Sequence, residues 1–137
     1  MRTSKPFTKS ILVTAVLCFL FLAGCRQAVV FDGSRTSDGS SFRMEYSVLN
    51  RTETAEMELQ EGDQLQVEIA HDKGSADISV SRPDKDAIYT GTKQVNAEFV
   101  LVIPETGVYQ ITVTGHQAKG QVSFIRTGSE DQTNHNN

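Results

Sequence analysis

The chain has 137 residues, a formal net charge of −4 at neutral pH, two cysteines and no tryptophan. A chain of this length has room for one domain of modest size with a single hydrophobic core. Its acidic balance disfavours binding to nucleic acid and electrostatic adhesion to anionic membrane headgroups. We therefore expect no nucleic-acid partner.

The N-terminal segment has the organisation of an export signal. Basic residues come first, at Arg2, Lys5 and Lys9, and residues 11–23 then form an almost uninterrupted apolar run. A membrane-spanning helix needs about 17–25 apolar residues, so this run is too short to be one. A basic start, an apolar centre and small residues before a cleavage site are typical of a signal peptide. We expect a signal helix over residues 1–24 that is removed from the mature protein.

The last residues of this segment, Leu22-Ala23-Gly24-Cys25, resemble the lipobox of bacterial lipoproteins. The resemblance implies cleavage between Gly24 and Cys25, attachment of diacylglycerol to the cysteine sulfur and acylation, for example with palmitate, of the new N-terminus. One acyl chain anchors a protein only marginally, whereas two or more hold it stably in a membrane. The alternative is a secreted protein in which a cysteine stands at this position by accident.

The two cysteines leave no thiol for the mature domain. Cys18 lies in the predicted signal and Cys25 is the predicted lipidation site, so we expect no disulfide, zinc–thiolate site or cysteine nucleophile. Loss of the signal also removes three basic side chains, which leaves ten basic and seventeen acidic residues and a formal charge of −7. Stability must then come from a hydrophobic core.

Polar segments flank the predicted domain on both sides. Residues 25–41, which begin with the lipidated cysteine, are rich in Gly, Ser and Asp and are predicted to form a flexible tether. Within them, residues 28–31 are either a short edge strand or apolar residues lying at the membrane surface. Residues 127–137 contain no apolar side chain and are predicted to be a disordered tail. The folded domain is accordingly predicted over residues 42–126.

Residues 42–126 show a hydrophobic period of two in their first half. Side chains on a strand point to opposite faces in turn, so this alternation predicts strands with one buried and one wet face. The alternating apolar positions are Phe42, Met44, Tyr46, Val48, Ala55, Met57, Leu59, Leu65, Val67, Ile69, Ala76, Ile78 and Val80. Turn-forming residues separate the runs at 61–63, 72–74 and 82–84. Residues 53–60 have helix-forming composition, but their neighbours favour a strand.

The second half of the domain is more apolar. Residues 95–103 have apolar side chains on both faces, which predicts a central strand. After a turn at 104–107, residues 108–114 and 121–126 alternate again, with a further turn predicted over 115–120. About eight short antiparallel strands of this kind are typical of a single all-β sandwich. The pattern does not decide between a jelly-roll-like and an immunoglobulin-like topology.

The segment around Tyr109 resembles known sandwich domains. In Gly107-Val108-Tyr109, the tyrosine stands where a corner tyrosine hydrogen-bonds back to the backbone, and Ile111 stands where the next inward side chain packs. With the Leu59–Leu65 segment, which has Gly62-Asp63 before a strand, this pattern is similar to the small bacterial pre-peptidase C-terminal type of β-sandwich. That resemblance implies an accessory folding or binding module without catalytic activity.

No set of residues in the sequence indicates catalysis. The three histidines, His71, His116 and His135, are too far apart in the sequence for metal-ligand spacing. A Ser/His/Asp set of Ser75, His71 and Asp72 lacks the strained nucleophile turn that usually accompanies such a site. We expect structural or surface roles for His71 and His116 and no enzyme activity.

Metal binding is not indicated either. Asp84 and Asp86, together with Asp72 and Asp77, suggest a calcium site, but calcium needs six or more oxygen ligands with a characteristic loop spacing. The sequence lacks that spacing and places Lys85 between two of the acids. A turn with solvated side chains is favoured. The acidic run from Glu53 to Asp63 is likewise interpreted as a solubilising strand face.

Carbohydrate binding receives little support. Carbohydrate platforms use exposed Trp or Tyr, and Tyr46 and Tyr109 occupy predicted inward positions. Tyr89 is therefore the single candidate, and one tyrosine does not make a platform.

The sequence as a whole favours a lipoprotein anchored through Cys25 at the extracytoplasmic face of a bacterial cell membrane. We expect it to act as a non-catalytic binding or interaction module that contacts an envelope protein or polymer, with no cofactor and no metal. The alternative is a structural or envelope-maintenance lipoprotein without a specific ligand.

Overall fold

The computed structural model describes residues 28–128. The predicted signal helix, Cys25 and the residues from 129 onward lie outside this part of the chain, so the predictions made for them stay predictions. The described residues are all-β and antiparallel, as predicted, with seven strands and no helix. In chain order these are β1 (Val30–Asp38), β2 (Ser41–Asn50), β3 (Thr52–Leu59), β4 (Gln64–Ser81), β5 (Tyr89–Gln94), β6 (Asn96–Val102) and β7 (Gly107–Thr127).

The two long strands β4 and β7 form the centre of the sheet. They pair with each other over nearly their whole lengths, from Gln64 opposite Thr127 to Ser81 opposite Gln110. On the other side of β7, β2 pairs with its C-terminal half and β3 with its N-terminal half. In the same way β6 pairs with the N-terminal half of β4 and β5 with its C-terminal half. β1 adds to the outer edge of β2.

The long strands change register in the middle, and the sheet folds there into two layers. The irregularity covers residues 71–75 of β4, opposite residues 116–120 of β7. One layer contains β1, β2, β6 and the adjoining halves of β4 and β7, and the other contains β3, β5 and the remaining halves. Inward side chains from both layers join one core. The predicted sandwich is confirmed, although seven strands build it rather than about eight.

The predicted turns at 72–74 and 115–120 are wrong, because both are irregularities inside continuous strands. Gly74 has a φ of +69°, Gly120 of +144° and Gln117 of +50°. A Cβ added at Gly120 would lie 2.1 Å from the carbonyl oxygen of Ala70, so the close approach of β4 and β7 requires glycine there. Glycine marks a bulge in a strand as readily as a turn, and the sequence pattern does not separate the two.

The sandwich has two different ends. We call the end where the strands bend the folded edge; it comprises residues 50–51, 72–75, 94–95 and 115–118. At the opposite end, which we call the turn end, the free ends of the two layers meet: Gly62 N donates to Ile103 O at 2.9 Å, and Arg126 Nη1 donates to Glu58 O at 3.2 Å. The turn end comprises residues 39–40, 61–63, 82–88 and 103–106. Chain entry at Ala28 lies by the folded edge, because Asn50 Nδ2 donates to Ala28 O at 2.8 Å.

The alternation of buried and exposed side chains is confirmed at nearly every predicted inward position. Full burial of each large apolar side chain contributes about 1.5–3 kcal/mol, so this core is the main source of stability. Val48 is the exception in the first half: it is 38% exposed, because β2 shifts register between Tyr46 and Leu49 and turns Leu49 inward instead.

The predicted tether is wrong from Asp32 onward, whereas the edge strand given as one alternative for residues 28–31 is confirmed at Val30 and Phe31. Residues 30–38 form β1, which pairs with β2 along its whole length, so the domain starts about twelve residues earlier than the predicted boundary at 42. Arg35 on this strand donates through Nη2 to Thr54 O in the other layer at 2.6 Å and lies over the Phe42 ring at 5.2 Å. A polar edge strand has the composition of a linker, which is why the sequence pattern suggested one.

The predicted central position of residues 95–103 is also wrong. β6 pairs only with β4 among the described strands and is an edge strand. Val100 and Val102, which suggested a second buried face, are 52% and 65% exposed. Residues 53–60 form β3, as their neighbours indicated.

The predicted tyrosine corner is confirmed. The Tyr109 hydroxyl donates to the carbonyl oxygen of Glu105 at 2.7 Å, and both Tyr109 and Ile111 are fully buried. This bond fixes the loop before β7 to the strand that follows it.

Candidate functional site

The predicted cleavage and lipidation residues, Gly24 and Cys25, lie outside the described residues. The first described residue, Ala28, is only three positions after Cys25. Both assignments therefore stay predictions. The number of residues between Cys25 and the folded domain is smaller than the predicted boundary at 42 implied.

The described part of the chain has a polar concavity on the outer face of the β1–β2–β7–β4 layer. We call it the outer groove; its volume is about 590 Å³. Its lining comes from Gly33, Ser34, Glu45, Tyr46, Ser47, Ala70, Asp72, Lys119, Gly120 and Gln121. Hydroxyl, carboxylate, amide and ammonium groups thus meet on one rigid sheet surface, an arrangement that binds polar ligands by hydrogen bonds and charge.

Two glycines are among the residues that line the outer groove. Gly33 follows a register shift in β1, and a Cβ there would lie 2.2 Å from the carbonyl oxygen of Glu45. Gly120 lies in the same row of the ladder, because Tyr46 is opposite both glycines and His71 is opposite Gly120 on its other side. Because a Cβ at either position would meet backbone atoms, the close approach of the strands beside the groove requires glycine at both.

A buried hydrogen-bonded pair lies beneath this surface. Tyr46 and His71 are 3% and 5% exposed, and the Tyr46 hydroxyl lies 2.5 Å from Nε2 of His71. Nδ1 of His71 lies 3.1 Å from the carbonyl oxygen of Gln94. A carbonyl only accepts, so Nδ1 carries the proton, and Nε2 accepts from the tyrosine hydroxyl. Every polar atom of the pair is satisfied.

Burial keeps both members of this pair neutral. It lowers the pKa of His71, against the smaller opposite effect of its hydrogen bond to Gln94, and it raises the pKa of Tyr46. A raised phenol pKa is the opposite of what an activated nucleophile needs. The expected structural role of His71 is thus supported by its geometry, and its ring nitrogens bond to Tyr46 and Gln94 rather than to Asp72 or Ser75, the set that the sequence disfavours.

No pattern in the sequence indicates the Tyr46–His71 pair. Both residues occupy ordinary alternating positions, 25 residues apart in the chain. Glycines within strand patterns indicate bulges or close approach, so Gly33 and Gly120 were the available clue to the groove.

A second histidine pair lies on the outside of the other layer. His116 Nε2 is 2.8 Å from Oδ2 of Asp77, and the other carboxylate oxygen accepts from the backbone N–H of Lys93 at 2.7 Å. The Lys93 N–H is the main reason that the pKa of Asp77 is lowered, followed by the bond to His116. Ser75 faces His116 in the ladder, but no hydrogen bond joins its hydroxyl to the imidazole in the described structure. This exposed pair is a cross-strand contact rather than a nucleophile and base.

The other predicted candidates are separate from one another. Asp84 lies in the turn after β4 with a φ of +58°, and residues 28–128 contain no group of three His, Cys, Asp or Glu placed to hold a metal ion. Glu53 pairs with Arg51 at 2.5 Å. Tyr89 packs on Phe99 with 4.6 Å between ring centroids, so it lies at the edge of the core rather than forming a free aromatic platform.

Within residues 28–128, no helix is long and apolar enough to span a bilayer.

Comparisons with known proteins identify no family. No protein-family model matches the chain, and no curated protein matches it. Among solved structures, the chain is similar to the periplasmic inhibitor of g-type lysozyme PliG from Aeromonas hydrophila, with 16% identity and a TM-score of 0.44. The match covers 74% of this chain and 92% of that one. A TM-score of 0.44 is too low for this likeness to support a conclusion about the present chain.

Proposed function

We propose that the protein is an extracytoplasmic bacterial lipoprotein, anchored through Cys25, whose β-sandwich is a non-catalytic binding module for a polar envelope protein or polymer. The observation that carries the proposal is the sequence Leu22-Ala23-Gly24-Cys25 after a basic and apolar segment, followed within a few residues by a folded domain at Val30. An export signal followed directly by a packed domain fits a protein that works where it is anchored.

The outer groove is the proposed binding surface. Its polar groups project from four neighbouring strands, so a ligand meets them without first ordering a loop. Glu45, Asp72 and Lys119 supply charges of both signs, and Ser34 and Gln121 supply neutral hydrogen-bonding groups. Such a surface suits a polar partner with mixed donors and acceptors better than an apolar small molecule.

Non-catalytic action is supported by the chemistry of the titratable groups. The buried Tyr46–His71 pair is held neutral, and no hydroxyl among residues 28–128 is hydrogen-bonded to the exposed His116–Asp77 pair. Neither arrangement combines a nucleophile, a base and an orienting group.

Site-specific photo-crosslinking in the native membrane tests the binding role. A photoreactive residue replaces Gln121 in the outer groove, and the matched control carries it at Val108, which is exposed on the other layer. We expect a discrete crosslinked species from position 121 and none of the same size from position 108. The absence of any adduct at position 121, or the same adducts at both positions, contradicts a binding groove.

A thermal-shift screen with envelope extracts separates this proposal from the alternative, a structural lipoprotein without a ligand. Specific binding raises the melting temperature by mass action, whereas a structural lipoprotein gives a flat screen.

A further inference from the structure

The chain enters the sandwich beside a surface patch with both apolar and basic side chains. We call it the anchor-side patch; it consists of Ala28, Val29, Val30, Val48, Lys73 and Lys119. Five of the six line one shallow depression together with Ser47, Asn50 and Gln117. Val29 is 78% exposed, and Val30 and Val48 are each more than one third exposed. The patch lies next to the folded edge, where Lys73 of β4 is opposite Lys119 of β7.

We propose that the anchor-side patch docks on the anionic headgroup surface of the membrane that holds the lipid anchor. This rests on the proposed lipidation of Cys25. Ala28 lies three positions after Cys25, and a fully extended chain spans about 10 Å over that length. That distance is about one Debye length at physiological ionic strength, so the patch charges and the headgroup charges interact.

The lysines of the patch carry the electrostatic part of this contact. Neither Lys73 nor Lys119 lies within ion-pair distance of a carboxylate among residues 28–128. Of the nearby acids, Asp32 accepts a 2.5 Å hydrogen bond from Ser47, and Asp72 lines the outer groove. The valines between them suit the boundary between headgroups and acyl chains.

The opposite end of the sandwich has a negative balance of charge. Seven carboxylates and three cations lie at or beside the turn end, namely Asp38, Glu58, Glu61, Asp63, Asp84, Asp86, Glu105, Arg82, Lys85 and Arg126. An anionic surface repels that end and attracts the patch, even though the mature chain is acidic overall. The sandwich then stands on its folded edge. β2 spans ten residues, so the turn end lies about 30 Å above the membrane.

Fluorescence quenching of the intact, acylated lipoprotein in vesicles tests this orientation. Lipidation uses Cys25, so a single new cysteine accepts the label, either Val95→Cys on the folded edge or Gly39→Cys at the turn end. Val95 is outside the patch and is 45% exposed, so its quenching reports docking rather than closeness to the anchor. The vesicles contain phosphatidylglycerol and a lipid with a headgroup quencher.

We expect strong quenching at position 95 and little at position 39. Each lysine near an anionic surface favours binding about fivefold, so K73E/K119E lowers the docked-to-undocked ratio at least about 25-fold. In that variant the quenching at position 95 falls to the level at position 39. The charge-matched control R43E/K85E keeps the wild-type pattern. Vesicles of phosphatidylcholine alone abolish the difference between the two labels.

Equal quenching at both positions overturns the proposal, as does a K73E/K119E variant that keeps the wild-type pattern. These failures are distinct from failure of the proposed anchor. A protein without acylation does not float with the vesicles at all, whereas an acylated but undocked protein floats and shows no difference between the labels.

Discussion

Tyr46 and His71 form the one place in the described core where two polar side chains bond to each other. The pair is satisfied only because the histidine is neutral, with Nδ1 donating to Gln94 O and Nε2 accepting from Tyr46. A buried polar group that loses its partner keeps the full cost of its desolvation. The pair is therefore a local test of the structure that does not depend on any functional hypothesis.

Removing the tyrosine hydroxyl tests this hydrogen bond. Tyr46→Phe leaves Nε2 of His71 buried without a donor, so we expect the free energy of unfolding to fall by about 1–3 kcal/mol. Urea denaturation followed by circular dichroism measures the change. The control is Tyr89→Phe, because that hydroxyl has no hydrogen bond within the described chain and its ring is partly exposed. A loss no larger than the control's would mean that the Tyr46–His71 bond does not contribute to stability.

His71 also predicts the direction of a pH effect. Burial lowers its pKa in the folded state below the ordinary value of 6.5, so the unfolded chain binds a proton first as the pH falls. The free energy of unfolding should therefore decrease as the pH falls from 7.5 through 6.5 towards 5. The aspartates whose pKa is lowered, Asp38 and Asp77, add a further loss only at more acidic pH, near and below their ordinary value of 3.8.

Comparison with His71→Gln isolates this effect, since the other histidines are present in both proteins. We expect a shallower pH dependence between 7.5 and 5 in the variant, measured by denaturant titration at each pH. Identical slopes would assign the pH dependence to other groups.

At the scale of elements, the bends of β4 and β7 decide the fold. Alternation located the strands and most of the core from the sequence, because it reports only which side each residue faces. It did not show that two of the predicted turns continue the strands, since Gly74 and Gly120 serve a bulge as well as a turn. It also misjudged two edge strands. The polar strand β1 has the composition of a linker. The strand β6 was predicted to be central because Val100 and Val102 are apolar, but both side chains are exposed in the structure.

Glycine substitutions test the bend. In Gly120→Ala the new Cβ meets backbone atoms of Ala70 and His71 at a φ of +144°. Such strain costs roughly 1–3 kcal/mol before the steric clash is added, so we expect a loss of at least about 2 kcal/mol. Gly39→Ala is the matched control, because nothing lies within 4 Å of its added Cβ. Thermal unfolding measures both, and equal melting temperatures would contradict the close approach of β4 and β7.

Hydrogen exchange tests the strand order. β4 and β7 are bonded on both sides, whereas β1 and β6 are edges with one bonded side. Amides in β4 and β7 should exchange only through global opening, and those of β1 and β6 through cheaper local opening. If β1 amides exchange as fast as those of an unstructured peptide, residues 30–38 form a flexible tether rather than a strand. If every β6 amide exchanges slowly, β6 is a central strand rather than an edge strand.

At the scale of the whole molecule, the start of β1 at Val30 changes how the predicted anchor is interpreted. A tether over residues 25–41 would let the domain move freely above a membrane, whereas a domain that begins at Val30 is held close to it. The outer groove and the anchor-side patch share Ser47 and Lys119, so the proposed binding surface lies next to the patch that we propose docks on the membrane. The sequence predicts the anchor because a lipobox is a local pattern. The groove combines residues from four strands, and no local pattern reports their meeting.

Lipidation of Cys25 is the central claim, because the location, the orientation and the proposed binding role all depend on it. Intact-mass spectrometry of the protein purified from its native membrane, with Cys25→Ser as the control, tests it most directly. We predict a wild-type mass equal to residues 25–137 plus diacylglycerol, with or without a further acyl chain on the amine, and a Cys25→Ser protein that carries no lipid. A wild-type mass without lipid, or a Cys25→Ser protein that remains lipidated and membrane-bound, would contradict the account.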